Sequence, residues 1–380
     1  MLRRLLARLS PTNPLIEVGI SKSALLHNLH TYQQAYPGLA IAPVLKSNAY
    51  GHDLGLVARV LDRENIAFFM VDSLYEARRL RATGIRSRIL VMGYVRPEDI
   101  ARSTLGAVDF TITDIEQLRA LSRSVTGPVR IHLKLDTGMH RQGIMLHDLH
   151  AATQYISGQP LLRLVGVCSH FADADTEDSR HNESQCASWT SSLRALEKQF
   201  GEIEYRHLSA TKGARFAKEA NTNVLRLGIG LYGFDTSPVN TNPLLPVLEL
   251  RSVIGGLRTV PASESVGYNA TYTTRQETVI ATIPAGYYEG VDRRLSGKGS
   301  VRVQGVLCPI VGRVSMNMIS VNVSDVPGVC VGDSVLLIER TDGSANSVPA
   351  IAETVSTPEY QESIYVLLAH IPQHLKRVLE

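Results

Sequence analysis

The sequence predicts an α/β protein in which an N-terminal (β/α)8 barrel of the TIM type is followed by a mostly β C-terminal domain. Three observations predict it. Eight short apolar runs alternate with helical patterns between about residues 20 and 235. A stretch rich in Pro, Asn, Thr and Ser, "FDTSPVNTNPLLP", then breaks the alternation. Beyond it come strand-like runs divided by turns. Repeated β-α units imply parallel strands, and eight of them can close into a barrel. A doubly wound open sheet is the alternative, although no G-x-G-x-x-G follows the first strand. The expected division is 1–240 for the barrel and 241–380 for the β domain.

In order, "SKSALLHNLHTYQQAY" reads as a helix with Ser21 or Ser23 as its cap. "IAPVLKSNAYGHDLG" begins as a buried strand and ends as a loop. "IAFFMV" leads into "DSLYEARRLRATG", where Ser73 and Glu76 form a capping box and Gly84 closes the C-terminus. "RILVMGY" follows, and "FTIT" enters a second helix with Thr113 and Glu116 as its capping box. "VRIHLKLD", "LRLVGVCSHF", "YRHLSA" and "VLRLGIGLYG" complete the eight runs. In the β domain, "VLELRSVIGGLRTV", "ETVIATIPAGYY", "SVRVQGVLCPIVGRVSMNMISVNV" and "GDSVLLIE" read as strands, and "VPAIAETV" as a helix.

Composition narrows the class of function. A chain of 380 residues exceeds one typical core. The net charge of +3 comes from interspersed acids and bases, with no basic stripe or aromatic platform for nucleic acid. No apolar run approaches the ~20 residues needed to span a bilayer, so no membrane partner is expected. Cys168, Cys186, Cys308 and Cys330 lie far apart, without the spacing of a metal site or disulfide framework. They suit a reducing cytoplasm. The opening "MLRRLLARLS" is basic and amphipathic but lacks the apolar core of a secretory signal. It reads as a frayed or surface-docked terminus.

Active-site groups of a parallel barrel sit where strands end and loops emerge. That rule collects Lys46 and Tyr50, then Arg141, His170 and Thr211, and finally Arg226 beside the glycines of "LGIGLYG". The set holds cations and hydroxyls but no carboxylate pair, which suits an anionic, phosphate-bearing ligand. Backbone N–H groups near Gly228 and Ile229 can cradle a phosphate. A lysine beside a phosphate site raises pyridoxal phosphate, since lysine forms a Schiff base with carbonyls. An arginine can partner the pyridine nitrogen. Singly, each residue has a plainer reading: Lys46 as solvated surface, His170 as a hydrogen-bonded interior histidine, "LGIG" as a turn.

Taken together and in order, six segments resemble the alanine racemase family. "VLKSNAYGHDL" is similar to its cofactor-attachment motif K-A-N-A-Y-G-H-G, and "HLKLDTGMHRQGI" to H-x-K-x-D-T-G-M-x-R-x-G. "SHFADAD", "RLGIGLYG", "IPAGYYEGVDRRL" and "VGRVSMNMISVNV" resemble the family's later segments in the same order. The resemblance implies a pyridoxal 5'-phosphate enzyme that racemises alanine and supplies D-alanine for cell-wall peptidoglycan. It also implies a head-to-tail homodimer, with each site lying between one barrel and the partner's C-terminal domain.

By the same resemblance, Lys46 would hold the cofactor as an aldimine, and Tyr50, Thr211, Gly228, Ile229 and Tyr365 would hold its phosphate. Arg226, supported by His170, would meet the ring nitrogen. Arg141 would touch the phenolic oxygen and the substrate carboxylate, which the Met316 backbone would also meet. Lys134 would be a carboxylated lysine that orients Arg141; its plainer reading is an ordinary barrel lysine. Lys46 and Tyr287 would be the two bases, one on each face of the small amino-acid substrate, and cations near a tyrosine favour its phenolate.

Several positions depart from the family pattern. Ser315 and Asn317 stand where Cys or Ser, then Asp, are expected; Tyr288 and Glu289 replace Ala and Asp; Ala210 and Thr211 replace Asn and Ser. These leave open a broader racemase that accepts serine, and a non-catalytic pyridoxal phosphate-binding homologue. A barrel-type decarboxylase is disfavoured by the two-base pattern.

Overall fold

The computed structural model describes residues 14–174, 180–234, 243–341, 343–355 and 363–380. "MLRRLLARLS" lies outside the described residues. The chain divides into two compact units: Ser23–Leu245, and a second that joins Pro246–Glu380 to the described residues before Ser23.

The first strand, β1, is Glu17–Ile20. The barrel unit then carries β2 (Ala40–Pro43), β3 (Phe69–Val71), β4 (Ile89–Val91), β5 (Val108–Ile112), β6 (Val129–Asp136), β7 (Ile144–Met145), β8 (Leu162–Cys168), β9 (Tyr205–His207) and β10 (Val224–Leu227). Parallel pairing runs β3-β4-β5-β6-β8-β9, and β10 pairs with β2. Two bridges close the ring: Val44, just past β2, with Met70, and Ala210, past β9, with Arg226. Eight parallel strands therefore form a closed barrel, each drawn from one of the eight apolar runs. Among the described residues, the short β7 pairs only with β6.

Strand β6 shows how the barrel sorts its residues. Ile131, Leu133 and Leu135 are fully buried on one face, while Arg130, His132, Lys134 and Asp136 alternate onto the other. Gly166 of β8 makes room for His132, because a Cβ there would lie 2.2 Å from the ring's Nδ1. Ala42, Val44, Phe68, Met70, Leu90 and Val224 form a buried cluster beside these polar groups.

The helix caps differ in part from expectation. Ser73 Oγ accepts the Glu76 N–H at 3.3 Å, as a capping box requires. The Glu76 carboxylate, expected to turn back on Ser73, instead accepts the N–H groups of Asn48 and Asp72. For Ile115–Ser124 the cap is Asp114 rather than Thr113, since its Oδ1 accepts from Glu116 and Gln117. Asp114 lies one residue closer to the first turn, and the Thr113 N–H donates to Gln117 Oε1.

The second unit contains β11 (Leu248–Val253), β12 (Gly256–Val260), β13 (Ser265–Val266), β14 (Tyr272–Thr273), β15 (Thr278–Ile283), β16 (Ser300–Val303), β17 (Val306–Val311), β18 (Ile319–Asn322), β19 (Ser334–Ile338) and β20 (Lys376–Leu379). Nine strands form one sheet in the order β12-β15-β18-β17-β16-β19-β11-β1-β20. Helix Val348–Val355 coincides with "VPAIAETV". Strand β1 departs from the expected division, which gave the barrel everything from residue 1. It pairs antiparallel with β11 and parallel with β20, and buries Val18 and Ile20 completely. Its run of four residues is too short for sequence pattern to separate from the helix that follows.

Candidate active site

Lys46 sits half-buried at the end of the first barrel strand and opens an unusual turn. Ser47, Asn48, Ala49 and Tyr50 have φ of 56°, 55°, 55° and 52°, so four successive non-glycine residues are left-handed. Such a conformation costs roughly 1–2 kcal/mol per residue, and the surroundings hold it. Asn48 Oδ1 accepts the Leu54 N–H at 3.1 Å. Glu76 bridges the Asn48 N–H at 3.2 Å and the Asp72 N–H at 2.8 Å. The Tyr232 hydroxyl donates to Val44 O at 2.9 Å, and its ring lies 5.0 Å from Tyr50 and 4.4 Å from His52.

The same turn brings Tyr50 to the end of β10. A Cβ on Gly228 would lie 3.2 Å from Tyr50 Oη and 3.8 Å from Thr211 Oγ1. Thr211 Oγ1 accepts the Gly228 N–H at 3.1 Å and the Gly230 N–H at 3.4 Å. Two hydroxyls and a glycine backbone thus converge, with Ile229 buried beside them. Burial pushes the Tyr50 hydroxyl up to about 12, which keeps it a neutral donor.

Arg226, on β10, is almost fully buried. Its Nη1 donates to Ser169 O at 2.7 Å and His207 O at 2.9 Å; its Nη2 donates to Leu208 O at 2.7 Å and His170 Nδ1 at 2.8 Å. Four terminal N–H groups have acceptors, which leaves Nε–H for a ligand. Burial lowers Arg226 to about 10. His170 is pushed down to about 2, first by burial and then by Arg226, Arg141, Lys134 and Lys46. It is a neutral acceptor ringed by cations, which answers its sequence ambiguity: it is both a buried histidine and a partner of Arg226.

Behind Arg226 lies a polar chain that the sequence reading missed. Arg226 Nη1 faces His207 Nδ1 at 3.4 Å, His207 Nε2 meets His132 Nδ1 at 2.8 Å, and His132 Nε2 faces Asp109 Oδ2 at 3.5 Å. Arginine only donates, so His207 accepts at Nδ1 and carries its proton on Nε2. His132 then accepts at Nδ1 and directs its own Nε2–H toward the carboxylate. Burial pulls both histidines down, against the opposing effect of Asp109 on His132 and with the aid of His132, Arg226 and Lys134 on His207. Burial would raise Asp109, but His132, Arg130 and Arg88 outweigh it and hold the carboxyl low. The signal that could have found this chain is the polar alternation of "VRIHLKLD".

Lys134, on β6, pairs in register with Cys168 of β8. Burial, aided by Arg226 and Arg141, lowers it to about 8 against the opposing effects of Cys168 and Asp136. Arg141 is exposed in the loop after β6. Asp136 Oδ1 shapes that loop by accepting the N–H groups of Gly138 and His140.

In the second unit, Tyr287 and Met316 lie on adjoining turns. Tyr287 N–H donates to Ser315 O at 3.0 Å, and both side chains are exposed. The Arg293 guanidinium stands 5.9 Å from the centre of the Tyr287 ring. Tyr288 stacks on His374 at 5.4 Å. Tyr365 belongs to helix Ser363–His370, and its side chain lies outside the described residues.

Comparison with known proteins agrees over both halves of the chain. Residues 20–236 match the family described as alanine racemase, N-terminal domain, and residues 247–378 match alanine racemase, C-terminal domain. A relative named alanine racemase from Syntrophobacter fumaroxidans is 36% identical over 350 residues, 90% of this chain and 93% of that protein. The crystal structure of alanine racemase from Bacillus anthracis with bound L-Ala-P is 29% identical, with a TM-score of 0.88 over 98% of this chain and 96% of that one. Histidine racemase from Leuconostoc mesenteroides is 28% identical, with a TM-score of 0.86 over 98% of this chain and 99% of that one. With a barrel of this architecture and both family domains matched in order, the chain is a member of the alanine racemase family.

Proposed function

We propose that this chain interconverts L- and D-alanine on pyridoxal 5'-phosphate, with Lys46 and Tyr287 as the two bases. The observation that carries the reading is the gathering of Lys46, Tyr50, Thr211, Gly228 and Arg226 where the barrel strands end. This donor set fits the cofactor. Lys46 supplies an amine for its aldehyde carbon. The hydroxyls of Tyr50 and Thr211, with backbone near Gly228 and Ile229, supply donors for its phosphate, and Tyr365 is assigned to the same group. The Nε–H of Arg226 supplies one donor for its ring nitrogen.

Pyridoxal phosphate, when bound, delocalises the negative charge left as the Cα proton departs. The free amine of Lys46 removes or returns that proton on one face, and the partner subunit's Tyr287 does so on the other. One base alone would exchange the proton without inverting the centre. Arg141 and the backbone of the partner subunit's Met316 hold the substrate carboxylate. Lys134, lowered to about 8, keeps enough neutral amine to take up carbon dioxide, and as a carbamate it would orient Arg141. Arg226 can donate a hydrogen bond without surrendering a proton, so a ring nitrogen held there would stay unprotonated and transamination would be disfavoured. The arrangement needs a head-to-tail homodimer. The D-alanine made in the cytoplasm would serve peptidoglycan synthesis.

A second reading, a racemase with a wider substrate range, is favoured by the likeness to a histidine racemase. One experiment separates the readings: holoprotein in D2O with L-alanine, and then with serine and histidine. Loss of the Cα proton is followed by NMR and inversion by chiral chromatography. Exchange with inversion of alanine alone supports the narrow reading, and inversion of the others the wide one. Exchange without inversion removes Tyr287 as second base.

A further inference from the structure

Glu289 and Asn317 are two positions at which the chain departs from the pattern it otherwise follows, and they touch. Asn317 Nδ2 donates to Glu289 Oε1 at 2.7 Å. The other oxygen, Oε2, accepts the Gly286 N–H at 2.8 Å. Glu289 is buried, and these two donors occupy its two oxygens. Asn317 is exposed, so a hydrogen bond rather than packing holds its side chain in place.

The tie spans two turns already in close contact. Tyr287 N–H donates to Ser315 O at 3.0 Å, and Tyr288 N–H to Met316 O at 2.9 Å. A Cβ on Gly286 would lie 2.2 Å from Ser315 O and 2.5 Å from Met316 O, so glycine permits the approach. The Glu289 carboxylate joins the start of the Tyr287 turn to the residue after Met316.

We propose that Glu289 and Asn317 are a matched pair of positioning residues that fixes the Tyr287 turn against the Met316 turn. The proposal rests on the reading above, in which Tyr287 moves the proton and the Met316 backbone holds the carboxylate. The pair keeps the base and the carboxylate holder at one spacing. Its chemistry requires one amide and one carboxylate. An aspartate at 317 beside Glu289 would set two anions at hydrogen-bond distance, where both cannot ionise cheaply. Exchanging the groups restores the match: in E289Q/N317D the glutamine oxygen accepts from Gly286 and its amide donates to the aspartate.

Two readouts test the pair. Asn317→Asp is expected to lower kcat for L-alanine about tenfold, with a smaller change in KM, the cost of losing one charge-assisted hydrogen bond. E289Q/N317D is expected to recover most of that loss, which a merely structural role for Asn317 would not do. In the substrate-free holoprotein, amide exchange at Gly286, Tyr287 and Tyr288 is expected to quicken in N317D and slow again in the double variant. Unchanged exchange in N317D overturns the tie. Changed exchange with unchanged kcat, or a double variant no better than N317D, overturns its positioning role. The exchange result is independent of the reaction, so it still decides on the tie if the wild type fails to racemise alanine.

Discussion

Arg226 Nη2 donates to His170 Nδ1 at 2.8 Å, and this contact fixes the protonation of the histidine. A guanidinium has no acceptor, so His170 must be neutral with its proton on Nε2. With carbonyl acceptors from Ser169, His207 and Leu208, the guanidinium is held by neutral groups alone. Among the described residues no carboxylate is hydrogen-bonded to it, and its charge remains available to whatever faces Nε.

Replacing His170 by Leu removes one of these acceptors inside a buried site. The expected result is a fall in kcat of about tenfold, for a lost charge-assisted hydrogen bond worth roughly 1.5–3 kcal/mol. KM should change less if, as proposed, Arg226 serves the cofactor rather than the substrate. Steady-state racemisation over a range of L-alanine concentrations checks the split.

The buried histidines predict how stability depends on pH. His132, His170 and His207 have lowered pKa values in the folded protein, His170 near 2. In the unfolded chain each titrates near ~6.5, so below that pH the unfolded state binds more protons. The stability they represent is present above the unfolded pKa and is lost as pH falls toward their folded values. The loss is about 1.4 kcal/mol per pH unit for each histidine. Asp109, held low in the fold, adds a further loss below ~4, where its unfolded carboxyl titrates. Urea unfolding at several pH values checks the slope, which should be shallower when His132 and His207 are both replaced by apolar residues.

Glu76 is expected to matter to the cofactor although it is remote in sequence from Lys46. Glu76→Ala leaves the Asn48 and Asp72 N–H groups without their acceptor. The buried Asn48 donor, left unsatisfied, costs about 1–3 kcal/mol, and the left-handed turn should relax. The expected outcome is weaker binding of pyridoxal phosphate and a lower melting temperature, measured by fluorescence titration and calorimetry. Glu76→Gln keeps one oxygen and should fall between.

Lys134 should carry carbon dioxide. With its pKa lowered to about 8, the neutral amine grows as pH rises through that value. Protein in 13C-bicarbonate is expected to give a carbamate NMR signal that strengthens above pH 8. The signal should vanish in Lys134→Ala.

Particular residues show what could be read in advance. All eight barrel strands were legible because each is an apolar run bounded by helical spacing, and the rule that loops at strand ends carry function gathered Lys46, Tyr50, His170, Thr211 and Arg226. The left-handed turn was not legible. Its residues, Ser47 to Tyr50, have no common preference for positive φ, and it is held by hydrogen bonds such as the one Glu76 accepts from the Asn48 N–H. The sequence paired Glu76 with Ser73 because a local partner is the only one that spacing reveals. The chain from Arg226 to Asp109 was half legible, in the alternation of β6, but the meeting of His132 with His207 depends on closure of the barrel. The roles of Asn317 and Glu289 were opaque for a similar reason: each looked like an isolated departure until the fold put them in contact.

Strand β1 gives the molecule an order of assembly. It is held between β11 and β20, the one reached only after the barrel has been made and the other only near residue 380. On the ribosome the barrel strands can all pair while β11 and β20 are still unsynthesised, whereas β1 must wait for β11 to find its first partner and for residues 376–379 to find its second. A fragment cut at residue 246 would retain every strand of that sheet except β1, exposing the facing edges of β11 and β20. One edge of the sheet is therefore completed by strands from sequence on either side of the barrel, and the barrel is, in topological terms, an insertion within the sheet unit.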